Sequence, residues 1–395
     1  MTDPLLEEML ATPVGPAVPA RGAGQVKDYT RKLEQNGDTL VAELREPEGV
    51  ITEGRALEYL AQEGQDASLW EVSGFTKTQY GPIDNPMESV RFTFKRRGSA
   101  GGDERPDLSE VIDRVMAQPP VQVSETGDYG FLVLLGDMQF GKIDGDGVEG
   151  TLRRTIGCLD KAVELLDIYR HRFDIGHVHI AWLGDHIEGF VSQGGANVWR
   201  TPLTLNEQIR LTRRTMLHAL TSFSPVAERL TMVAVPGNHG EAVRFSGKGI
   251  TRYDDSHDTE SLIAVADAAA LNPEAFGHVE FFVPETDELT VATEVAGTVI
   301  AHAHGHAWRP GRHFDWWQGQ AFEPSSALHR ADLLVAGHLH HEFVDTWGPR
   351  TFIQPPSMES ESTWFRHAKG TTGAPGLIVG ITKDGAVPVK EMVSG

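Results

Sequence analysis

The sequence predicts an α/β fold in which two β-sheets pack face to face with helices outside, preceded by a small α+β N-terminal module. Three observations predict it. Apolar runs at 131–135, 178–183 and 231–235 alternate with stretches of helical period, the pattern of βαβ units and a parallel sheet. After about residue 284 short β runs divided by turns take over, which favours a mixed or antiparallel second sheet. Five strand-like runs end in side chains able to bind metal, and the carboxyl ends of strands are where α/β folds hold ligands.

At 395 residues the chain has room for a large core and for two domains. Residues 1–25, rich in Pro, Ala and Gly, read as a mobile tail. Residues 26–97 form the small module, with a helix around 56–60 and strands at 69–72 and 90–94. Residues 98–126 are a Gly-rich linker and a connecting amphipathic helix, and 127–395 form the main domain.

Within the main domain, Leu152, Ile156, Leu159, Val163 and Leu166 step by four and three and make one apolar helix face. A second such helix carries Leu205, Ile209, Met216 and Leu220 inward, with Arg210, Arg213 and Arg214 on other faces. The runs at 289–291, 298–301, 333–336, 343–346, 351–353 and 377–381 are assigned to the second sheet.

Composition narrows the function. No apolar run reaches the roughly 18 residues of a membrane helix, and the N-terminus lacks a basic-then-apolar signal segment. The expectation is a soluble, cytoplasmic protein with no membrane partner; the sequence does not give its oligomeric state. The single Cys158 excludes an intramolecular disulfide and a cysteine-rich zinc site, and reads as a small apolar residue on a helix. The formal net charge of −21 argues against a protein that coats nucleic acid through a general basic surface. It leaves room for an enzyme whose bound cations supply the local positive charge.

The ligand candidates follow the strands. Asp137 and Gln139 come after 131–135, Asp185 after 178–183, Asn238 and His239 after 231–235, His304 after 298–301, and His338 and His340 after 332–336. Side chains two apart on extended backbone point the same way, so Asp137 with Gln139 and His338 with His340 can each offer a pair. Carboxylate, imidazole and amide together suit Mn²⁺, Fe²⁺ or Zn²⁺ better than Ca²⁺. Asp185, alone at its strand end, is the best candidate to bridge two cations about 3.5 to 4 Å apart. His302 and His306 compete with His304, and Glu188 and Glu241 read as acceptors behind the ligands.

In order along the chain, Asp137-Met138-Gln139, Gly184-Asp185-His186-Ile187-Glu188, Gly237-Asn238-His239-Gly240-Glu241, His304-Gly305-His306 and Gly337-His338-Leu339-His340 resemble the five motifs of the calcineurin-like metallophosphoesterases, in particular their repair-exonuclease branch. The resemblance spans about 130–355 and leaves the N-terminal module unexplained. It implies one metal on Asp137, Gln139, Asp185 and His340, and another on Asp185, Asn238, His304 and His338, Mn²⁺ ahead of Fe²⁺ or Zn²⁺. It implies that Asp185 and His239 are catalytic, His239 stabilising charge on the phosphate or protonating the leaving oxygen. Two departures stand out. Gln139 replaces the family's usual His, which weakens the first metal position, and Gly240 replaces an acid that would support His239.

Arg309 and Arg312, in the aromatic-flanked loop 308–314, are candidates to hold a substrate phosphate. Lys77, Tyr80, Arg91, Phe92, Phe94 and the run 95–97 could stack bases and hold phosphates, the alternative being a half-buried strand with a solvated cationic end. The expected activity is metal-dependent hydrolysis of phosphate esters by a phosphodiesterase or nuclease acting on DNA. The alternatives are a phosphatase for a small molecule or phosphoprotein, which the acidic surface favours, and a binding protein whose metal site has decayed.

Overall fold

In residues 129–135 Phe131, Val133 and Leu135 face one way, Leu132 and Leu134 the other, and both rows are fully buried. A strand buried on both faces needs a layer on each side, and the chain supplies both. The computed structural model describes residues 31–36, 39–47, 51–80, 87–96, 108–121, 127–190, 201–242, 244–245, 249–361, 366–367 and 373–394. The expected tail and the Gly-rich linker lie outside these residues. The chain divides into two compact units between Asp107 and Leu108.

The first unit contains β1 (Arg31–Asn36), β2 (Thr39–Pro47), α1 (Glu53–Gln62), β3 (Trp70–Tyr80) and β4 (Met87–Arg96). The strands form an antiparallel sheet in the order β1-β2-β4-β3. Thr52 caps α1 by accepting from the Arg55 amide, and Ala56, Tyr59 and Leu60 pack on Leu40, Leu44, Val90 and Phe94. Phe92 and Phe94 are therefore core, which removes them as base-stacking residues. Lys77 is ion-paired to the buried Glu88, while Phe75 and Arg91 are exposed.

In the second unit α2 (Leu108–Met116) is followed by β5 (Tyr129–Leu135), α3 (Gly147–Arg170), β6 (Ile175–Trp182), α4 (Leu205–Phe223) and β7 (Arg229–Ala234). Next come the two-residue strands β8 (Arg244–Phe245) and β9 (Gly249–Ile250), then α5 (His257–Ala269), α6 (Pro273–Phe276) and β10 (Val279–Phe282). The last part holds β11 (Val291–Val295), β12 (Thr298–His302), α7 (His313–Gln320), β13 (Leu333–Val335), β14 (Phe343–Trp347), β15 (Arg350–Gln354), β16 (Leu377–Lys383) and β17 (Ala386–Val393). One sheet runs β10-β7-β6-β5-β16-β17, with its first four strands parallel; the other runs β11-β12-β13-β15-β14, parallel in the middle and antiparallel at both edges.

Leu132, Leu134, Ala181, Leu183, Ile300 and Val335 fill the space between the sheets. Outside the first sheet lie α3, α4 and α5, where Cys158 is buried. Outside the second lies α7, through Trp317. The α/β two-sheet sandwich flanked by helices is thus present, with one correction. Residues 377–381 belong to the first sheet, where β16 pairs antiparallel with β5. Their unbroken apolar run is buried throughout, as a strand between two neighbours requires. Among the described residues no helix is long and apolar enough to cross a membrane.

Candidate metal centre

The loops that leave β5, β6 and β13 carry an unusual backbone. Asp137, Gln139, Asp185, His338 and His340 all have positive φ, from 42° to 75°. Left-handed backbone costs a residue with a Cβ roughly 1 kcal/mol or more, and it persists only where the surroundings enforce it. The surroundings here are hydrogen bonds between neighbouring loops. Asp137 N donates to Gly184 O at 3.0 Å, Gln139 N to Asp185 O at 2.9 Å, and His338 N to the Asp137 carboxylate at 2.8 Å.

Beneath them lies Asp258 in the first turn of α5, fully buried. Its carboxylate accepts from the backbone N–H groups of Asp185 (3.0 Å), His186 (3.0 Å) and Gly237 (2.9 Å), so one side chain ties the ends of β6 and β7 together. The same carboxylate explains Gly240: a Cβ there would stand 2.2 Å from Asp258 Oδ2. Gly237 is forced in the same way, since its Cβ would lie 2.1 Å from Asp185 Oδ1.

The donor atoms converge. Asp185, His304 and His338 each offer a ligand atom, all within 4.8 Å of one another. His304 Nε2 lies 2.9 Å from Asp185 Oδ2, and His338 Nδ1 lies 3.2 Å from His304 Nε2. On the other side His340 Nε2 is 3.3 Å from Asp137 Oδ1. His304 Nδ1 donates to Leu183 O at 2.7 Å, which turns the Nε2 lone pair inward; His340 Nδ1 meets Glu359 Oε1 at 2.7 Å with the same result. An imidazole oriented from behind in this way is the usual arrangement of a metal-binding histidine.

Asn238 lies between Gly237 and His239, both of which abut the Asp185 carboxylate, and its Oδ1 is enclosed with no hydrogen-bond partner. A buried amide oxygen without a partner costs about 1 to 3 kcal/mol, and a cation would satisfy it. Asp137, Asp185, Asn238, His304, His338 and His340 therefore fit a divalent ion. Gln139 is in the same place but its amide oxygen is taken, as it accepts from Lys142 Nζ at 2.8 Å.

The electrostatics match a site built for cations. Burial opposes charge on His304 and His340, yet the carboxylates of Asp185 and Asp137 outweigh it and push them up to about 9 and about 10. Burial likewise works against the Asp185 carboxylate, but His304 and His239 hold it well below the usual range. His338 is pushed down to about 4 by burial and then by the neighbouring His304. In metal-free protein the cluster thus takes up protons, which a metal would displace.

His239 lies beside the cluster, its amide donating to Asp185 Oδ1 at 2.7 Å. Its Nδ1 meets the Glu188 carbonyl at 3.0 Å and the Glu188 carboxylate at 3.4 Å. Burial is again opposed, here by Asp185 and Glu188, and His239 is pushed up to about 9. Acid support for His239 therefore comes from Glu188, on a different loop from the one the sequence pattern favours.

Of the rivals of His304, His302 turns away and His306 stays close, its ring centre 5.4 Å from that of His304. His302 is buried between the sheets with Nε2 2.8 Å from His179 Nε2, whereas the His306 ring centre stands 6.2 Å from that of His338, at the side of the cluster. Arg309 and Arg312 are exposed, and Arg312, at the position before α7, pairs with Asp315 at 2.5 Å. Among the described residues no hydrogen bond or ion pair links either arginine to the donors. Asp258, Glu359 and Lys142 were not selected from the sequence. Only Asp258 left a signal, since Ser256-His257-Asp258 opens an apolar-periodic stretch as a helix cap does.

The sequence matches no family model and no curated protein. Among solved structures, the chain is similar to an archaeal phosphodiesterase (11% identity, covering 67% of this chain and 99% of that one, TM-score 0.31). It is also similar to Vacuolar Protein Sorting 29 from Cryptosporidium parvum (15%, 68% and 99%, TM-score 0.31). A third is a predicted phosphoesterase from Streptococcus pneumoniae (14%, 69% and 100%, TM-score 0.27). At such identities and scores, what the site can do rests on its own side chains.

Proposed function

We propose that this chain is a metal-dependent phosphoesterase of the calcineurin-like kind, and that it acts as a phosphodiesterase or nuclease on DNA. The observation that carries the reading is the donor set itself. Two imidazoles are turned inward by Leu183 O and Glu359, two buried aspartates face them, and Asn238 Oδ1 is enclosed and unpaired. Divalent ions, Mn²⁺ in the first place, would be held by Asp137, Asp185, Asn238, His304, His338 and His340, with Gln139 at the margin. When bound they supply Lewis acidity and neutralise phosphate charge.

The chain's own part is positioning and proton transfer. Asp185 stands between the two halves of the donor set, with one oxygen on His304 Nε2 and the other on the His239 amide. Glu188 occupies the Nδ1 side of His239, which leaves Nε2 to give a proton to the leaving oxygen. In the metal-free chain Asp185 and then Glu188 push His239 up to about 9; where cations share Asp185, Glu188 at Nδ1 is the group that favours the proton.

DNA as substrate is supported by the exposed Phe75 and Arg91 of the first unit, one able to stack a base and the other to hold a phosphate. Arg309 and Arg312 remain candidates for the same task at the active site. The net charge of −21 favours the second reading, a phosphatase for a small molecule or phosphoprotein. Hydrolysis of labelled single- and double-stranded DNA, bis-(p-nitrophenyl) phosphate and p-nitrophenyl phosphate, with Mn²⁺ or EDTA, decides between them. Mn²⁺-dependent DNA cleavage is the expected result. Cleavage of the small esters alone selects the phosphatase, and no activity on any substrate overturns both.

A further inference from the structure

A lysine ammonium stands against the first half of the donor set. Lys142 N donates to Gln139 O at 3.0 Å, a turn that brings the ammonium back over the Gln139 side chain. Lys142 Nζ then donates to Gln139 Oε1 at 2.8 Å and pairs with Glu359 Oε2 at 2.5 Å. The other oxygen of Glu359 holds His340 Nδ1 at 2.7 Å. Lys142 is 15% exposed and Glu359 4%, so this ion pair is largely shielded from water. In the second half, Asn238 Oδ1 is unpaired and His304 Nε2 faces Asp185 directly.

We propose that Lys142 is a built-in competitor for the first metal position: the protein binds one divalent ion tightly through Asp185, Asn238, His304 and His338, and a second through Asp137, Gln139, Asp185 and His340 only by displacing the Lys142 ammonium. Two physical effects combine. The ammonium uses the amide oxygen that Gln139 would donate, and its charge repels a dication in a shielded site, where Coulomb terms are strong. The weakness of the first position then belongs to Lys142 more than to the exchange of imidazole for amide at Gln139.

This inference rests on the metal-binding reading above, and a titration of the full-length protein with Mn²⁺ separates the two. Calorimetry with Mn²⁺ electron paramagnetic resonance should show one tight ion per wild-type chain and a second at least about tenfold weaker, the scale on which groups behind the ligands act. The spin-coupled signal of a Mn²⁺ pair should appear only with the second ion. Lys142→Met should tighten the second ion about tenfold or more and leave the first within about threefold, because loss of general positive charge would shift both. Lys142→Gln keeps a donor to the buried Glu359 without the charge and should act in the same direction, which guards against a folding defect in the methionine variant. Gln139→His alone should leave the second ion weak.

Two equally tight ions in the wild type would overturn the inference. So would a Gln139→His variant that tightens the second ion as much as Lys142→Met, or Lys142 variants that change nothing. A protein that binds no Mn²⁺ overturns the metal-dependent function, and the inference with it.

Discussion

The two sides of the donor cluster are held by different means. Around Asp185, Asn238 and His304 the hold is mainly backbone: Asp258 collects three N–H groups, Leu183 O orients His304, and Gly237 lets the chain approach the Asp185 carboxylate. Around Gln139 and His340 the hold is charged side chains, Lys142 against Glu359. A backbone-built half is preorganised whether or not a ligand is there, because its geometry is set by strand ends and turns. A half closed by an ion pair can exchange one cation for another. The contrast places the permanent chemistry on the Asp185 side and the adjustable part beside Lys142.

The largest expected effect comes from the residue that both halves share. Asp185→Asn should lower Mn²⁺-dependent hydrolysis of bis-(p-nitrophenyl) phosphate by about 10³-fold or more, since it removes the charge from the carboxylate proposed to serve both ions. It should also weaken the tight ion in a Mn²⁺ titration. Activity within a few-fold of wild type would end the assignment of Asp185 as the shared ligand.

A smaller and more selective loss tests the proton donor. His239→Ala should slow esters with poor leaving groups by about 10²-fold, and an activated aryl ester much less, because p-nitrophenolate leaves without a proton. Equal losses on both esters would remove the acid role and leave His239 as a group that binds the phosphate.

How much of this was legible follows the same divide. The candidate ligands at strand ends were readable, because a short apolar run stopping at Gly184, Gly237 or Gly337 announces both the strand and what lies beyond it. The left-handed backbone was not, since nothing in Asp137 or His338 as residue types requires positive φ. Neither was the support behind the ligands: Glu359 acts over a sequence separation of 19 from His340, and Asp258 over 73 from Asp185. Lys142 was closer at hand, three residues after Gln139, but its turn is visible only in the fold. In the first unit neither β1 nor β2 was among the expected strands: Arg31–Asn36 has too little apolar alternation to mark one, Thr39–Pro47 shows it only at Leu40, Ala42 and Leu44, and Phe92 and Phe94 looked like a stacking surface until the packing of α1 turned them inward.

The smallest predicted change bears on the backbone-built half. Asp258→Asn keeps one carbonyl oxygen and replaces the other with an NH₂ group. If the remaining oxygen serves Asp185 N and Gly237 N, the NH₂ is left against His186 N–H, donor facing donor in a fully buried place. Turning the amide over abandons two N–H groups in place of one, so no orientation satisfies all three. A buried donor left without its acceptor costs about 2 kcal/mol. The urea midpoint should fall accordingly in metal-free protein, and saturating Mn²⁺ should recover part of the loss, since a ligand that binds only the folded state stabilises it by mass action. An unchanged midpoint would mean that the strand ends hold Asp185 without Asp258. The left-handed turn at Asp185 would then be enforced by its pairing with Gln139 N alone, and the contrast between the two sides of the cluster would lose its structural basis.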